Sequence, residues 1–248
     1  MNSEISKHYR ELIETNFKYF EKATIKSSLE VYKAELLNET AKIESEKDRN
    51  HNLGFLKSFY KESLDALKES GEEMDYIMNS VFQNLKGLNF KDITKSIKEQ
   101  IISSISTFKL KEEHNSFNGL FFEYSSSPSF SGIAFKERNF EVLLESPKYI
   151  EFENGSYASD NSIDFELEDI FEEILGGEFE ETAWVFEFEL EIFLKVKETA
   201  YSIVALCLHD ALKSEDVINK LKKCGFEQNG VVYLNEHDME NKSVYVNE

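Results

Sequence analysis

Two cysteines, two prolines and ten glycines in 248 residues leave little to staple, kink or loosen this chain. Cys207 and Cys224 are too few for a disulfide framework at this length, so a reducing compartment is the simpler setting. The opening residues, Met1-Asn2-Ser3-Glu4-Ile5, carry neither the basic nor the apolar stretch of a secretion signal. The most apolar run, Ala200 to Leu208, is about half the length that a bilayer span requires. These absences lead us to expect a soluble, cytoplasmic protein. The motifs GxGxxG, GxxxxGKS/T, HExxH, CxxC and GxSxG are missing too. No catalytic residue, metal ligand or cofactor is therefore expected.

The remaining absence is one of sign. Between Tyr149 and Leu194 there is no lysine and no arginine, yet there are fifteen carboxylates. The net charge of −20 is correspondingly lopsided: residues 1–113 carry −2 and residues 114–248 carry −18. A negative field of that density reaches about 8–10 Å in physiological salt. It repels nucleic acid and anionic lipid, and attracts cations or a basic protein. Phe, Ile, Leu and Trp are interleaved with the acids, so the stretch reads as folded rather than as an acidic tail.

Hydrophobic residues make up 41% of the chain, including 21 Phe and 11 Tyr, ample for a packed core. Their spacing suggests two segments, helical over 1–113 and acidic α+β over 114–248, sharing a core or not. In the first, apolar residues recur every three or four positions, as in Leu56, Phe59, Tyr60, Leu64 and Leu67, or Ile93, Ile97, Ile101 and Ile105. That spacing places each set on one helix face. Four or five helices are expected, packed as a bundle or layer, with stops at Gly71 and Gly87. Residues 24–50, with alternating charges and sparse apolar positions, give the weakest pattern.

After Glu113 the period changes. Leu120 to Tyr124, Gly132 to Phe135, Phe140 to Leu144 and Tyr149 to Phe152 alternate like short strands of an antiparallel meander. A helix is expected again from Ile163, with Leu167, Ile170, Phe171, Ile174 and Leu175 on one face. Val185 to Ile192 alternates like a strand, but a strand would set a row of like charges on one face. Helix is therefore preferred there, continuing to Lys213. Ser214, Glu215 and Asp216 open a short helix that Lys220, Lys222 and Lys223 close before Gly225. Val231 to Asn235 and Ser243 to Asn247 form a hairpin. The expected fold class is α+β: a helical first half, then a small antiparallel sheet flanked by helices.

Three chemistries suggest themselves. The first is docking of a basic protein through Asp160, Asp164, Glu166, Glu168, Asp169, Glu172, Glu173, Glu178, Glu180 and Glu181, since clustered carboxylates raise association rate and specificity. The same acids would also serve as a plain solvated face. The second is calcium, since Asp160, Asn161, Asp164, Glu166 and Glu168 offer hard oxygens. However, Phe165 stands where an EF-hand loop needs glycine. The third is a metal-dependent hydrolase built on His209, Asp210, His237 and Asp238, which would need those side chains to converge. Their plainer roles are an ordinary hydrogen bond for His209 and turn geometry for Asp238.

The leading expectation is a non-enzymatic acidic binding protein that neutralises a basic partner and makes no use of nucleic acid or membrane. Its most concrete form is a bacterial immunity or antitoxin protein, an inhibitor of a toxin such as a nuclease. The alternatives are a structural or scaffolding module acting through the N-terminal helices, and the hydrolase.

Overall fold

The computed structural model describes residues 1–124, 129–137, 139–145, 147–153, 155–167, 178–186, 190–236 and 240–248. The first four helices are α1 (Asn2–Phe20), α2 (Ile25–Ala41), α3 (Glu46–Gly87) and α4 (Phe90–Ile105). They form where the apolar spacing predicts them. In α4, Ile93, Ile97, Ile101 and Ile105 are all buried, one from each turn. Even the poorly patterned stretch after residue 24 is helical, because its start is fixed locally. Thr24 and Ser27 form a reciprocal capping box, each side chain accepting from the other's backbone N–H.

Gly71 does not stop a helix. α3 runs through it, with non-helical backbone only at Ser70 (φ −136°, ψ 15°). The break in pattern is thus a kink within one long element.

The second part contains β1 (Phe117–Tyr124), β2 (Ser129–Phe135), β3 (Ile163–Glu166), α5 (Glu178–Val185), α6 (Glu191–Leu212), α7 (Glu215–Lys223), β4 (Phe226–Glu236) and β5 (Lys242–Val246). The strands make one sheet in the order β3-β2-β1-β4-β5. Every neighbouring pair is antiparallel except β1 and β4, which are parallel. The fold class is α+β, as the sequence pattern indicates. Among the described residues no helix is long and apolar enough to cross a membrane.

The chain packs as two compact units. One comprises Met1–Leu12, Asn89–Phe171 and Tyr201–Glu248; the other comprises Ile13–Leu88 and Glu172–Ala200. The first holds the sheet. Leu120, Phe122, Phe130, Ala134, Ile163, Phe165, Val232 and Leu234 are buried on one face of it. The second unit packs α2 on α3 and α3 on α5. Aromatic side chains fill it, with Phe82 against Phe17 and Phe20, and Phe193 against Phe179 and Phe186.

Three expectations are corrected. Ile163 to Glu166 form a strand rather than the start of a helix, while Ile170, Phe171, Ile174 and Leu175, expected on that helix, lie outside the described residues. Ile163 and Phe165 are buried while Asp164 and Glu166 are exposed, and pairing with β2 selects this two-residue period. Phe140 to Leu144 and Tyr149 to Phe152 are not strands. Their alternating rings lie against the sheet face instead of joining its ladder. The sheet is not a pure meander, because β4 inserts parallel to β1. Val185 to Ile192 falls partly outside the described residues, but helices α5 and α6 flank it. The terminal hairpin is present as β4 and β5.

Candidate binding site

Pairing in the sheet fixes which side chains share its second face. Residues directly opposite in neighbouring strands point the same way. One row therefore runs Asn235, Glu123, Ser131, Asp164 across β4, β1, β2 and β3. The next row is Tyr233, Phe121, Ile133, and Glu166 lies opposite Ser129 one step beyond Asp164. This face is aromatic at its centre and acidic toward the β3 side.

Described residues 136–137, 139–145 and 147–153 cover part of it. Asn118 holds the start of this cover through both ends of its amide: Nδ2 donates to the Glu137 carbonyl (2.6 Å) and Oδ1 accepts from Glu137 N–H (3.0 Å). The Tyr233 hydroxyl donates to the Glu141 carbonyl. Burial raises the Tyr233 pKa well above the ordinary phenol value, so this hydroxyl remains a donor. Leu143 N–H donates to Ser243 Oγ (2.8 Å), and Ser243 N–H donates back to the Leu143 carbonyl (3.0 Å). Gly119 lies beneath Phe140, whose ring occupies the space a β-carbon would need.

Between cover and sheet lies a cavity of about 140 Å³. Phe121, Phe135, Phe152 and Tyr149 form its aromatic wall, and Glu123, Asn235 and Asn241 its polar side. The rings are already organised. Phe152 stacks on Phe135 at 3.9 Å between centroids and meets Phe121 edge-on at 4.8 Å, while Phe121 stacks on Tyr233 at 4.5 Å. The Oδ1 atoms of Asn235 and Asn241 are buried and have no hydrogen-bond partner among the described residues.

The carboxylates singled out in the sequence are only partly placed. Asp160, Asp164 and Glu166 are exposed in the sheet-containing unit, as are Glu151 and Glu153 on the cover. Glu181 is exposed on α5 in the other unit, where Glu178 and Glu180 also belong by their backbone. Glu168, Asp169, Glu172 and Glu173 lie outside the described residues. Among the described residues none of Glu151, Glu153, Asp160, Asp164, Glu166 or Glu181 forms an ion pair. On α5, Trp184 stands one turn beyond Glu181 with 74% of its surface exposed.

The hydrolase residues have other surroundings. His209 Nδ1 lies 2.7 Å from the Val244 carbonyl, to which it donates. The β4–β5 register slips there: Val232 pairs with Tyr245 and Tyr233 with Ser243, leaving Val244 without a counterpart. His209 thus satisfies a carbonyl that the bulge orphans. Desolvation lowers its pKa, so the ring is held neutral. Asp210 is half-exposed and 3.6 Å from Arg10. His237 and Asp238 lie outside the described residues. Among the described residues no group of three His, Cys, Asp or Glu side chains is arranged for a metal ion. Asn161, considered as a calcium ligand, accepts from Lys109 N–H (2.8 Å) and donates to the Thr107 carbonyl (2.9 Å). Burial pushes the Cys207 thiol up to about 11 and also raises Cys224, so neither is an activated nucleophile.

Sequence reasoning missed the aromatic cavity. A usable signal was present in Leu120-Phe121-Phe122, an unbroken apolar run rather than an alternating one, which marks a strand covered on both faces. Asn235 and Asn241 carry no such signal, because only the β4–β5 hairpin brings them to the cavity. Comparison of the chain with protein-family models, curated proteins and solved structures finds no match.

Proposed function

We propose that this chain is a non-enzymatic, acidic binding protein that engages a basic protein partner through the second face of its sheet. The observation that carries this reading is the set of exposed carboxylates that form no ion pair among the described residues, Asp164 and Glu166 foremost, on the same face as Phe121 and Phe152. Uncompensated charge of one sign steers a partner of the other sign during encounter. Aromatic side chains beside it supply the packing that slows dissociation, since such anchors dominate interface energetics. The most concrete form of the reading is a cytoplasmic bacterial immunity or antitoxin protein holding a toxin such as a nuclease in check.

The test starts from the partner that co-purifies from native cells and measures its association rate with charge-reversed variants. Asp164→Lys combined with Glu166→Lys is the first variant; Asp169, Glu172 and Glu173→Lys together is the second. Each is expected to slow association roughly tenfold or more near 20 mM salt, with the difference shrinking as salt screens the field. A partner that is itself acidic, or one that associates with both variants at the unmodified rate, overturns the reading.

A further inference from the structure

We infer that the cavity beneath the cover accepts a lysine side chain of the basic partner, an inference that rests on the docking reading above. Three observations define its occupant. The first is chemical. Glu123 presents a carboxylate, and Asn235 and Asn241 each bring a buried Oδ1 with no partner among the described residues. Asn241 is only 2% exposed. A buried oxygen left unpaired is costly, so the cavity favours a group that brings N–H donors to the two Asn Oδ1 atoms beside the negative charge of Glu123. An ammonium carries three donors and no acceptor.

The second observation is the wall. Phe121, Phe135, Phe152 and Tyr149 surround the space, and among the described residues no lysine or arginine lines it. Ring faces attract a cation, and their apolar surface accommodates a methylene stem. The third is size. A cavity of about 140 Å³ is close to the ~150 Å³ that holds a six-atom ring in another protein. The butylammonium arm of lysine has five heavy atoms beyond Cα and fits. The arginine arm has seven, ending in a rigid planar fork. Charge complementarity names the source: an acidic face that draws in a basic protein meets lysine side chains first.

Nuclear magnetic resonance titration of the isotope-labelled full chain tests this with Nα-acetyl-lysine amide as probe. The expected result is a saturable shift of the Asn235 and Asn241 side-chain amides and of the Phe121 and Phe152 ring protons, with a millimolar Kd. Nα-acetyl-norleucine amide, which keeps the four-carbon stem but lacks the ammonium group, is expected to bind at least tenfold more weakly, and Nα-acetyl-arginine amide more weakly than the lysine probe. Glu123→Gln keeps the shape and is expected to weaken the lysine probe at least tenfold. Phe152→Leu, on the half-exposed cover, is expected to weaken it at least threefold.

Equal affinity for the norleucine probe overturns the inference in favour of a plain apolar pocket. Cadaverine binding tenfold more tightly than the lysine probe overturns it in favour of a free diamine. Absence of saturable shifts overturns it in favour of a hydrated pocket. If the lysine probe is silent while charge reversal at Asp164 and Glu166 still slows association, only the cavity assignment fails. If the probe binds but the partner is acidic, the docking reading fails and the cavity stands as an ammonium site.

Discussion

His209 shows how one side chain can be mistaken for chemistry when it serves architecture. Beside Asp210 it looks like half of a metal site, yet its imidazole closes the ladder where β5 bulges at Val244. Replacing it by leucine keeps the volume but leaves the Val244 carbonyl buried and unpaired. His209→Leu is expected to cost about 1–3 kcal/mol, read as a lowered urea midpoint and a fall in Tm of about 2–4 °C per kcal/mol. The same residue sets a pH dependence. Its folded pKa lies below the unfolded value near 6.5, so the unfolded chain binds the proton more readily. Stability from this site is full above that value and is lost as pH falls from about 6.5 toward the lower folded pKa. Urea titrations between pH 5 and 8 check it. His209→Gln, which retains a donor but does not titrate, should flatten the curve in that window, and an unchanged slope would assign it to other groups.

At the scale of elements, the sheet is finished by side chains rather than by further strands. On the β5 side, Tyr9 donates to the Ser243 carbonyl (2.9 Å), and Asn2 both donates to the Val246 carbonyl (2.8 Å) and accepts from its N–H (3.1 Å). On the β3 side, Gln100 of α4 donates to the Glu166 carbonyl (2.9 Å) and accepts from its N–H (2.8 Å), while Ser104 accepts from Asp164 N–H (2.8 Å). An amide side chain here imitates the next strand and keeps the edge from pairing with another chain. Gln100→Leu is expected to destabilise by about 0.5–1.5 kcal/mol, since water can reach the exposed Glu166 backbone, and to remove hydrogen-exchange protection at Glu166 while leaving the β1–β4 amides slow. Uniform loss of protection would mean that the clamp belongs to global stability. These contacts also explain which elements were legible. α7 was readable because its acidic first turn, basic last turn and glycine stop are all local, although the Ser214 hydroxyl donates to the Ala211 carbonyl instead of capping the helix; Gly225 adopts φ +98° as a helix terminator does. β3 was not, because the Ile163–Leu167 spacing suits a helix while Ile163-Asp164-Phe165-Glu166 suits a strand, and distant β2 decides. The parallel β1–β4 pair joins residues far apart in sequence, and no local pattern announces it. The acid belt was visible as charge, but not the cavity beside it, because Asn235 and Asn241 meet only through tertiary structure.

For the whole molecule the deciding quantity is the balance between a net charge of −20 and the ion pairs that offset it. The described pairs are largely exposed: Lys7–Glu11, Lys68–Asp65 and Lys95–Glu99 all keep half or more of each side chain in water. Exposed pairs contribute about 0–1 kcal/mol each and weaken in salt. Self-repulsion among uncompensated carboxylates acts in the other direction, and salt relieves it. Screening shortens the reach of each charge from about 30 Å at 0.01 M to about 10 Å at 0.1 M. Carboxylates spread along β3, the cover and α5 therefore cease to act on distant neighbours over that range, while pairs in contact lose much less. Repulsion should dominate, and Tm should rise between about 10 mM and 0.3 M sodium chloride. Asp164→Lys with Glu166→Lys lowers the net negative charge by four and should show a smaller rise. Scanning calorimetry across that salt series checks both statements. A Tm that falls with salt would mean that local pairing outweighs the field, and the acidic surface would then be better understood as internally balanced than as poised for a cationic partner.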